Sequence, residues 1–312
     1  MVRRGECLGG RGFHVLDGAP VVLTPAAEQW GFAIIGGIGA LVFFPVMKAF
    51  DLGQVQVWIN ALFALSALSW LSGRKRLAGI LIGMICLLKP QFSLFLVWGL
   101  LRREWRFLAG CSVVLALGLA LSLMVFGLQN NLDYLAVLRA LSRTGESYFA
   151  NQSFNGLLNR LYSTDDPMAW QPNAFPEFNS VVYIGTLATS ALLIGACLLI
   201  PLLGKGACGV FDFLAAALTF TIASPIAWEH HYGILPVVYV AALFLLLNQA
   251  GSARRSLQLV VLTASFLVTA HWFGGSWMLF GALALLGLIY WIELLPRLAP
   301  KADTGARHCA TR

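Results

Sequence analysis

The stretch LAGILIGMICLLKPQFSLFLVWGLL, residues 77–101, decides how the rest of the chain is read. It is apolar on both sides of a break at Lys89-Pro90-Gln91. Basic clusters flank it, Arg74-Lys75-Arg76 before and Arg102-Arg103 with Arg106 after. A single bilayer crossing of ~20 residues would leave one cluster on each side, against the cytoplasmic bias of Lys and Arg. Two half-length helices, 77–88 and 91–101, return both clusters to the same side. The first rises only ~18 Å, so its tip stays within or near the outer leaflet. Pro90 cannot continue the helical ladder and Lys89 is costly in hydrocarbon. The break should therefore line a wet, protein-walled cavity.

Composition supports a membrane reading for the whole chain. Of 312 residues, 59% are hydrophobic and 11% charged, against about 45–50% and 25% in ordinary globular proteins. So few charges cannot cover a soluble surface of this size. Mean hydropathy is +0.77. A soluble enzyme, a nucleic-acid-binding domain and a disordered chain are excluded together. The net charge of +7 resides in short clusters between apolar runs, which orient a membrane protein and imply no nucleic-acid partner. The six cysteines have no ligand spacing, so neither a metal site nor a disulfide framework is expected.

Further candidate spans are 30–50, 55–72, 107–128, 180–203, 257–273 and 277–295, with a second broken stretch at 210–248. The expected fold is all-α and polytopic, with about ten transmembrane or half-membrane helices and one long extracytoplasmic loop, 129–179. Residues 1–29 read as an unstructured leader, 30–296 as one integral membrane domain and 297–312 as a cytoplasmic tail. Short inner loops then carry Arg74–Arg76, Arg102, Arg103, Arg106, Lys205, Arg254, Arg255, Arg297 and Lys301; short outer turns carry only Lys48 and Lys89. Every polar motif falls on the outer side, so a site built from them faces away from the cytoplasm. Gly36-Gly37-Ile38-Gly39 reads as a helix-packing stretch.

Two further motifs carry chemistry. In Asn151-Gln152-Ser153-Phe154-Asn155, followed by Arg160, amides suit sugar hydroxyls and a guanidinium suits a phosphate. Phe154, Leu157, Leu158 and Leu161 recur at helical spacing, as in a surface helix with solvated amides. Asn151-Gln152-Ser153 is also a glycosylation sequon. In Ser224-Pro225-Ile226-Ala227-Trp228-Glu229-His230-His231-Tyr232, an interfacial belt explains Trp228 and Tyr232 but not Glu229-His230-His231. Adjacent histidines face different ways, so hydroxyl or phosphate contact fits them better than metal.

Gly53-Gln54-Val55, Ala78-Gly79 followed by Lys89-Pro90, the Arg102–Arg106 cluster, Asn151-Gln152-Ser153 with Arg160, and Ser224-Pro225…Trp228…His230-His231 occur in that order. The series resembles glycosyltransferase family 87, integral membrane mannosyltransferases of the GT-C superfamily, over roughly residues 40–250. The resemblance implies transfer of mannose or a related sugar from a polyprenyl-phosphate donor. The acceptor would be a lipid-linked or cell-envelope glycan at the outer face of the plasma membrane. It implies inversion without metal or other cofactor. By the same resemblance Lys89, Arg160, His230 and His231 are candidates for the phosphate and Gln54, Asn151, Gln152 and Asn155 for sugar hydroxyls. Gln91, Ser153 and Trp228 complete the substrate-binding set, and Glu229, His230 and His231 are the candidate catalytic groups.

The family begins with a transmembrane helix and an outer loop bearing an acidic residue and a Tyr. Residues 1–29 contain neither, so the expectation is an N-terminally truncated chain that transfers no sugar. The competing reading is a transporter or flippase of a lipid-linked anion, a class that also uses broken helices.

Overall fold

A computed structural model describes residues 36–162, 166–168, 175–203, 209–271 and 275–294. The expected leader 1–29, the tail 297–312, and Lys205, Arg297 and Lys301 lie outside the described residues. Within them the chain is helical and contains no strand.

A helical stretch 36–41 leads into α1 (Phe44–Asp51), followed by α2 (Gln56–Leu71) and α3 (Lys75–Leu88). A 3-10 turn (Pro90–Ser93) joins α3 to α4 (Leu94–Leu101), and α5 is Trp105–Thr144. Then come α6 (Phe154–Tyr162), α7 (Ser180–Leu203) and α8 (Val210–Ile222). A second 3-10 turn (Glu229–Ile234) opens α9 (Leu235–Leu247), and α10 (Ala253–Ala270) and α11 (Trp277–Ile289) complete the order. Among the described residues three stretches are long and apolar enough to cross a membrane: Trp105–Thr144, Ser180–Leu203 and Glu229–Leu247. Shorter apolar helices accompany them.

Two boundaries differ from the sequence reading. The single helix expected over 30–50 is interrupted at Val42-Phe43, because Pro45 lacks an N–H and fits only the first turn of a new helix. The long loop expected from residue 129 is helical as far as Thr144. Gly127 (φ 77°, ψ 169°) is non-helical and divides this stretch into two helical segments at a kink. Asn131 braces the bend, donating to the Gly127 carbonyl at 2.7 Å and accepting from Ser122 Oγ at 2.7 Å.

The break in residues 77–101 is present, and the segment doubles back. Lys75 Nζ, at its start, lies 3.5 Å from Glu104 Oε1, just past its end. Close helix contact makes this possible, since a side chain on Gly79 would run into the Phe107 carbonyl and one on Gly110 into that of Arg76. An aromatic cluster fills the fold's base. Trp70 lies 5.2 Å from Trp98 and 5.0 Å from Phe213, and Phe95 lies 5.1 Å from Phe213, all between ring centroids. These rings join α2, α4 and α8.

Beside them Arg102, read from the sequence as a loop charge, is buried. Its Nε donates to Asp212 Oδ2 at 2.6 Å, and its Nη atoms donate to Asp212 Oδ1 and to the carbonyls of Cys197 and Leu198. One guanidinium thus ties α4 to α7 and α8. Removing one member of a buried pair strands the other charge. Asp212→Ala should lower stability by about 3–5 kcal/mol, whereas Arg102→Leu with Asp212→Leu should cost clearly less. Thermal unfolding in detergent measures both, and equal losses would deny the pair this role.

Candidate active site

Between α8 and the Glu229–Ile234 turn the backbone is irregular, and its polar groups need partners. The segment after α5 supplies them. Gln152 N–H donates to the Ala227 carbonyl at 2.8 Å and Glu229 N–H to that of Ala150 at 2.9 Å, pairing Asn151 with Trp228 antiparallel. The Asn151 side chain donates to the carbonyls of Glu146 (3.0 Å) and Pro225 (3.1 Å) and accepts from Ala227 N–H (3.0 Å). Ser153 Oγ donates to the Pro225 carbonyl, and Tyr232 O–H to that of Gln152 at 2.6 Å. Gln152 Nε2 reaches the carbonyls of Phe149 and Gly275.

Asn155 accepts from Glu146 N–H and donates to Thr186 Oγ1, and Asn159 donates to Asn155 and to the Thr144 carbonyl. These amides are buried, not solvated. The face α6 buries is the polar one, while Leu161 stays exposed. The reason is that Asn155 and Asn159 satisfy backbone and hydroxyl groups at the end of α5 and on α7. Asn151 is fully buried, so the sequon offers no acceptor in the folded chain.

Arg160 Nη1 donates to the Tyr148 and Asn151 carbonyls (3.1 and 2.9 Å), and Nη2 to Ser276 Oγ (2.7 Å). Burial draws its guanidinium down to about 10, with Glu229 nearby acting the other way. It therefore stays charged at neutral pH.

Around this frame the chemical groups divide into two sets. The acidic corner holds Glu229 and Glu146, both buried. Glu146 accepts a short hydrogen bond from Trp228 Nε1. Tyr148 stands beside both acids. Burial first, then the charges of Glu229 and Glu146, raise its phenol above the ordinary range, so it remains a neutral hydroxyl.

The basic corner holds His230 and His231, whose rings meet edge to face at 4.6 Å between centroids. Lys89 acts electrostatically on both rings and Lys48 on His230. α1 packs against the histidine turn and carries Lys48 there. Neither lysine has a carboxylate partner among the described residues. Gln54 (between α1 and α2) and Gln91 (after Pro90) are half-buried, and their side chains make no hydrogen bond among the described residues.

Sequence reasoning counted Lys48 only as an outer-turn charge and passed over Glu146 and Tyr148. The available signal was Glu146-Ser147-Tyr148 standing within five residues of Asn151. It also missed Gln56 and Asn60. Gln56 Nε2 donates to Asn60 Oδ1 at 2.7 Å, and the Asn60 amide lies so close to Gly233 that a side chain there would collide with it.

A glycosyltransferase family 87 profile matches residues 16–225, two-thirds of the chain. The chain belongs to glycosyltransferase family 87. It is 26% identical over 254 residues to the polyprenol-phosphate-mannose-dependent alpha-(1-2)-phosphatidylinositol mannoside mannosyltransferase of Mycolicibacterium smegmatis, covering 78% of this chain and 53% of that protein. The protein of the same description from Mycobacterium tuberculosis is 26% identical over 261 residues, 80% of this chain and 55% of the relative. The M. smegmatis phosphatidylinositol pentamannoside mannosyltransferase is 28% identical over 189 residues, 60% and 42% of the two chains. The chain thus spans about half the length of the curated relatives it matches. No solved structure matches it. The family match ends at Pro225, so Trp228–His231 stand outside it and join the matched part through Asn151, Gln152 and Ala150.

Asn151→Ala would orphan the buried Glu146 carbonyl and Ala227 N–H, at about 1–3 kcal/mol each. A fall in unfolding free energy of at least ~2 kcal/mol is expected, read by denaturation in detergent. A wild-type melting curve would show that the junction does not need this side chain.

Proposed function

We propose that this chain, contrary to the expectation drawn from residues 1–29, transfers mannose, or a related sugar, from a polyprenyl-phosphate donor to a lipid-linked or cell-envelope glycan, with the buried Glu229 as a base among the described residues. It does so as a multi-pass plasma-membrane protein whose site opens on the extracytoplasmic face. The observation that carries the reading is the basic corner: two lysines without acid partners beside paired histidines. Such a set calls for an anion from outside the chain.

The phosphate would bind among Lys48, Lys89, His230 and His231. The prenyl chain has a fitting path close by. An apolar cavity of about 260 Å³ is lined by Gly36, Gly39, Pro236, Val240, Leu262 and Phe266. Pro236 lies five residues beyond His231, little more than one helical turn. The Gly-rich stretch then contributes a smooth wall.

In the reaction the acceptor oxygen attacks the anomeric carbon as the bond from that carbon to the phosphate oxygen breaks. The hydroxyl proton passes to a carboxylate, and the departing phosphate gains one negative charge. Glu229 is the candidate base, since it is buried within the electrostatic reach of Tyr148 and Arg160. The two lysines stabilise the departing phosphate more than the bound donor, because its charge is greater; that difference is what lowers a barrier. Asn151, Gln152, Ser153, Asn155 and Arg160 serve by holding the Trp228–His231 turn in place. Gln54 and Gln91 remain open for sugar hydroxyls, and the Trp228 ring for stacking.

Polyprenyl phosphate binding by the detergent-solubilised chain tests this. Lys89→Gln and Lys48→Gln should each weaken it by roughly tenfold, ~1.4 kcal/mol, while uncharged polyprenol binds both variants alike. Wild-type affinity in both would remove the phosphate from this corner. Orientation is tested in a cysteine-less background. A membrane-impermeant maleimide should label cysteines at Gln91 and Glu177 from outside, and leave those at Gly73 and Ser252 untouched. Labelling of Gly73 together with Glu177 would overturn the proposed topology of about ten membrane segments.

A further inference from the structure

The Glu229–Ile234 turn begins with an unusual cap. His231 stands three residues after the N-cap residue, Trp228, and its Nδ1 accepts the Trp228 backbone N–H at 3.2 Å. In return, the His231 N–H donates to the Trp228 carbonyl at 2.8 Å. This is the position where a capping box ordinarily places Glu or Gln, whose side-chain oxygen accepts the same N–H. A histidine can do so only through an unprotonated ring nitrogen.

The consequence is chemical. With the Nδ1 lone pair occupied, the ring's single proton sits on Nε2. Adding a second proton at Nδ1 would set N–H against N–H and open the cap. The cap also aims the ring, since Nδ1 turned toward the Trp228 amide leaves Nε2 on the opposite edge. His230 meets the ring edge to face, and Lys89 acts on both rings.

We infer that His231 is a neutral hydrogen-bond donor locked in its Nε2–H form, that it binds the donor's phosphate through that N–H, and that it cannot be the general base. The inference rests on the phosphate seat proposed above. It divides the labour within the Glu229-His230-His231 triplet. The lysines supply charge, His231 supplies a directed N–H, and proton acceptance falls to Glu229 or His230. A locked donor needs no reorganisation as charge grows on the phosphate oxygen.

Two substitutions test the donor edge of the ring while the cap is kept. His231→Asn can present its amide oxygen near the Nδ1 position, keeping the cap, but has no donor reaching the Nε2 position. His231→Gln extends an amide N–H to about the Nε2 position, and its side-chain oxygen is the ordinary acceptor of a capping box, so it can keep the cap as well. If the inference holds, His231→Asn weakens polyprenyl phosphate binding tenfold or more at a near-wild-type melting temperature. His231→Gln keeps most of the wild-type affinity, also at a near-wild-type melting temperature. The opposite ranking in affinity, or wild-type binding by His231→Asn, would make His231 a cap and nothing more.

Nitrogen-15 spectra of the wild-type chain labelled on histidine supply a readout that needs no variant to fold. At pH 7 the ring adjoining the Tyr232 amide should show a protonated Nε2 and a bare Nδ1, and its Nε2 signal should shift when polyprenyl phosphate is added. An Nδ1–H tautomer, or an imidazolium, would overturn the inference by itself. If the wild-type chain fails to bind polyprenyl phosphate at all, the phosphate seat falls and His231's role in binding falls with it. Binding by wild type with an unmoved Nε2 signal would sink the inference and leave the seat standing.

Discussion

Backbone that leaves a helix inside a membrane-embedded chain must find its hydrogen bonds within the protein. Between Ala223 and Glu229, Ser190 and Ser224 serve the Ala223 and Ile226 carbonyls, and the bonds to Pro225, Ala227 and Glu229 come from one short segment with Asn151 at its centre. Three groups on three different residues are satisfied by that one amide. The other candidate functions lean on this junction. Trp228 meets Glu146 because the two strands of backbone are pinned side by side, and the histidine turn begins from a Trp228 already fixed in place. Arg160 adds a second clamp from below, bonding the Tyr148 and Asn151 carbonyls and reaching Ser276 at the start of α11.

The second support is the doubled-back segment, which carries Lys89 into the same region. A lone pair of half-length helices has little reason to stay folded. Here the pair is closed at its base by Lys75 with Glu104, by the rings of Trp70, Trp98 and Phe213, and by Arg102 with Asp212. Lys75 also sits over the Trp70 ring, 2.9 Å from its centroid, so one ammonium serves an acid and an aromatic face together. The base is held by charge and rings; the tip is left free to present a lysine.

Much of the fold was legible along the chain. The break at Lys89-Pro90 and the break between Ile222 and Glu229 follow from proline, charge and run length, which are local properties. Family membership followed from the order of several weak motifs, each too short to mean much alone. The site was less legible. Asn151, Gln152, Asn155 and Arg160 have the donors and acceptors of a sugar site, but the same groups can equally serve the chain's own carbonyls. In the folded protein they do so. Lys48 went the other way, from a charge counted for orientation to a member of the basic corner.

What the sequence determined by itself was the solvent and the secondary structure. Apolar runs of bilayer length admit few conformations other than helices, and the prolines and charges mark where those helices stop. Only the tertiary structure decided which polar side chains are satisfied within the protein and which are left for a ligand. Hydrogen bonding between residues 70 or more positions apart, as between Asn151 and Ala227, has no periodicity to betray it. Whether an amide is a ligand contact or a brace, and which nitrogen of a histidine carries its proton, depends on the group that folding places opposite it.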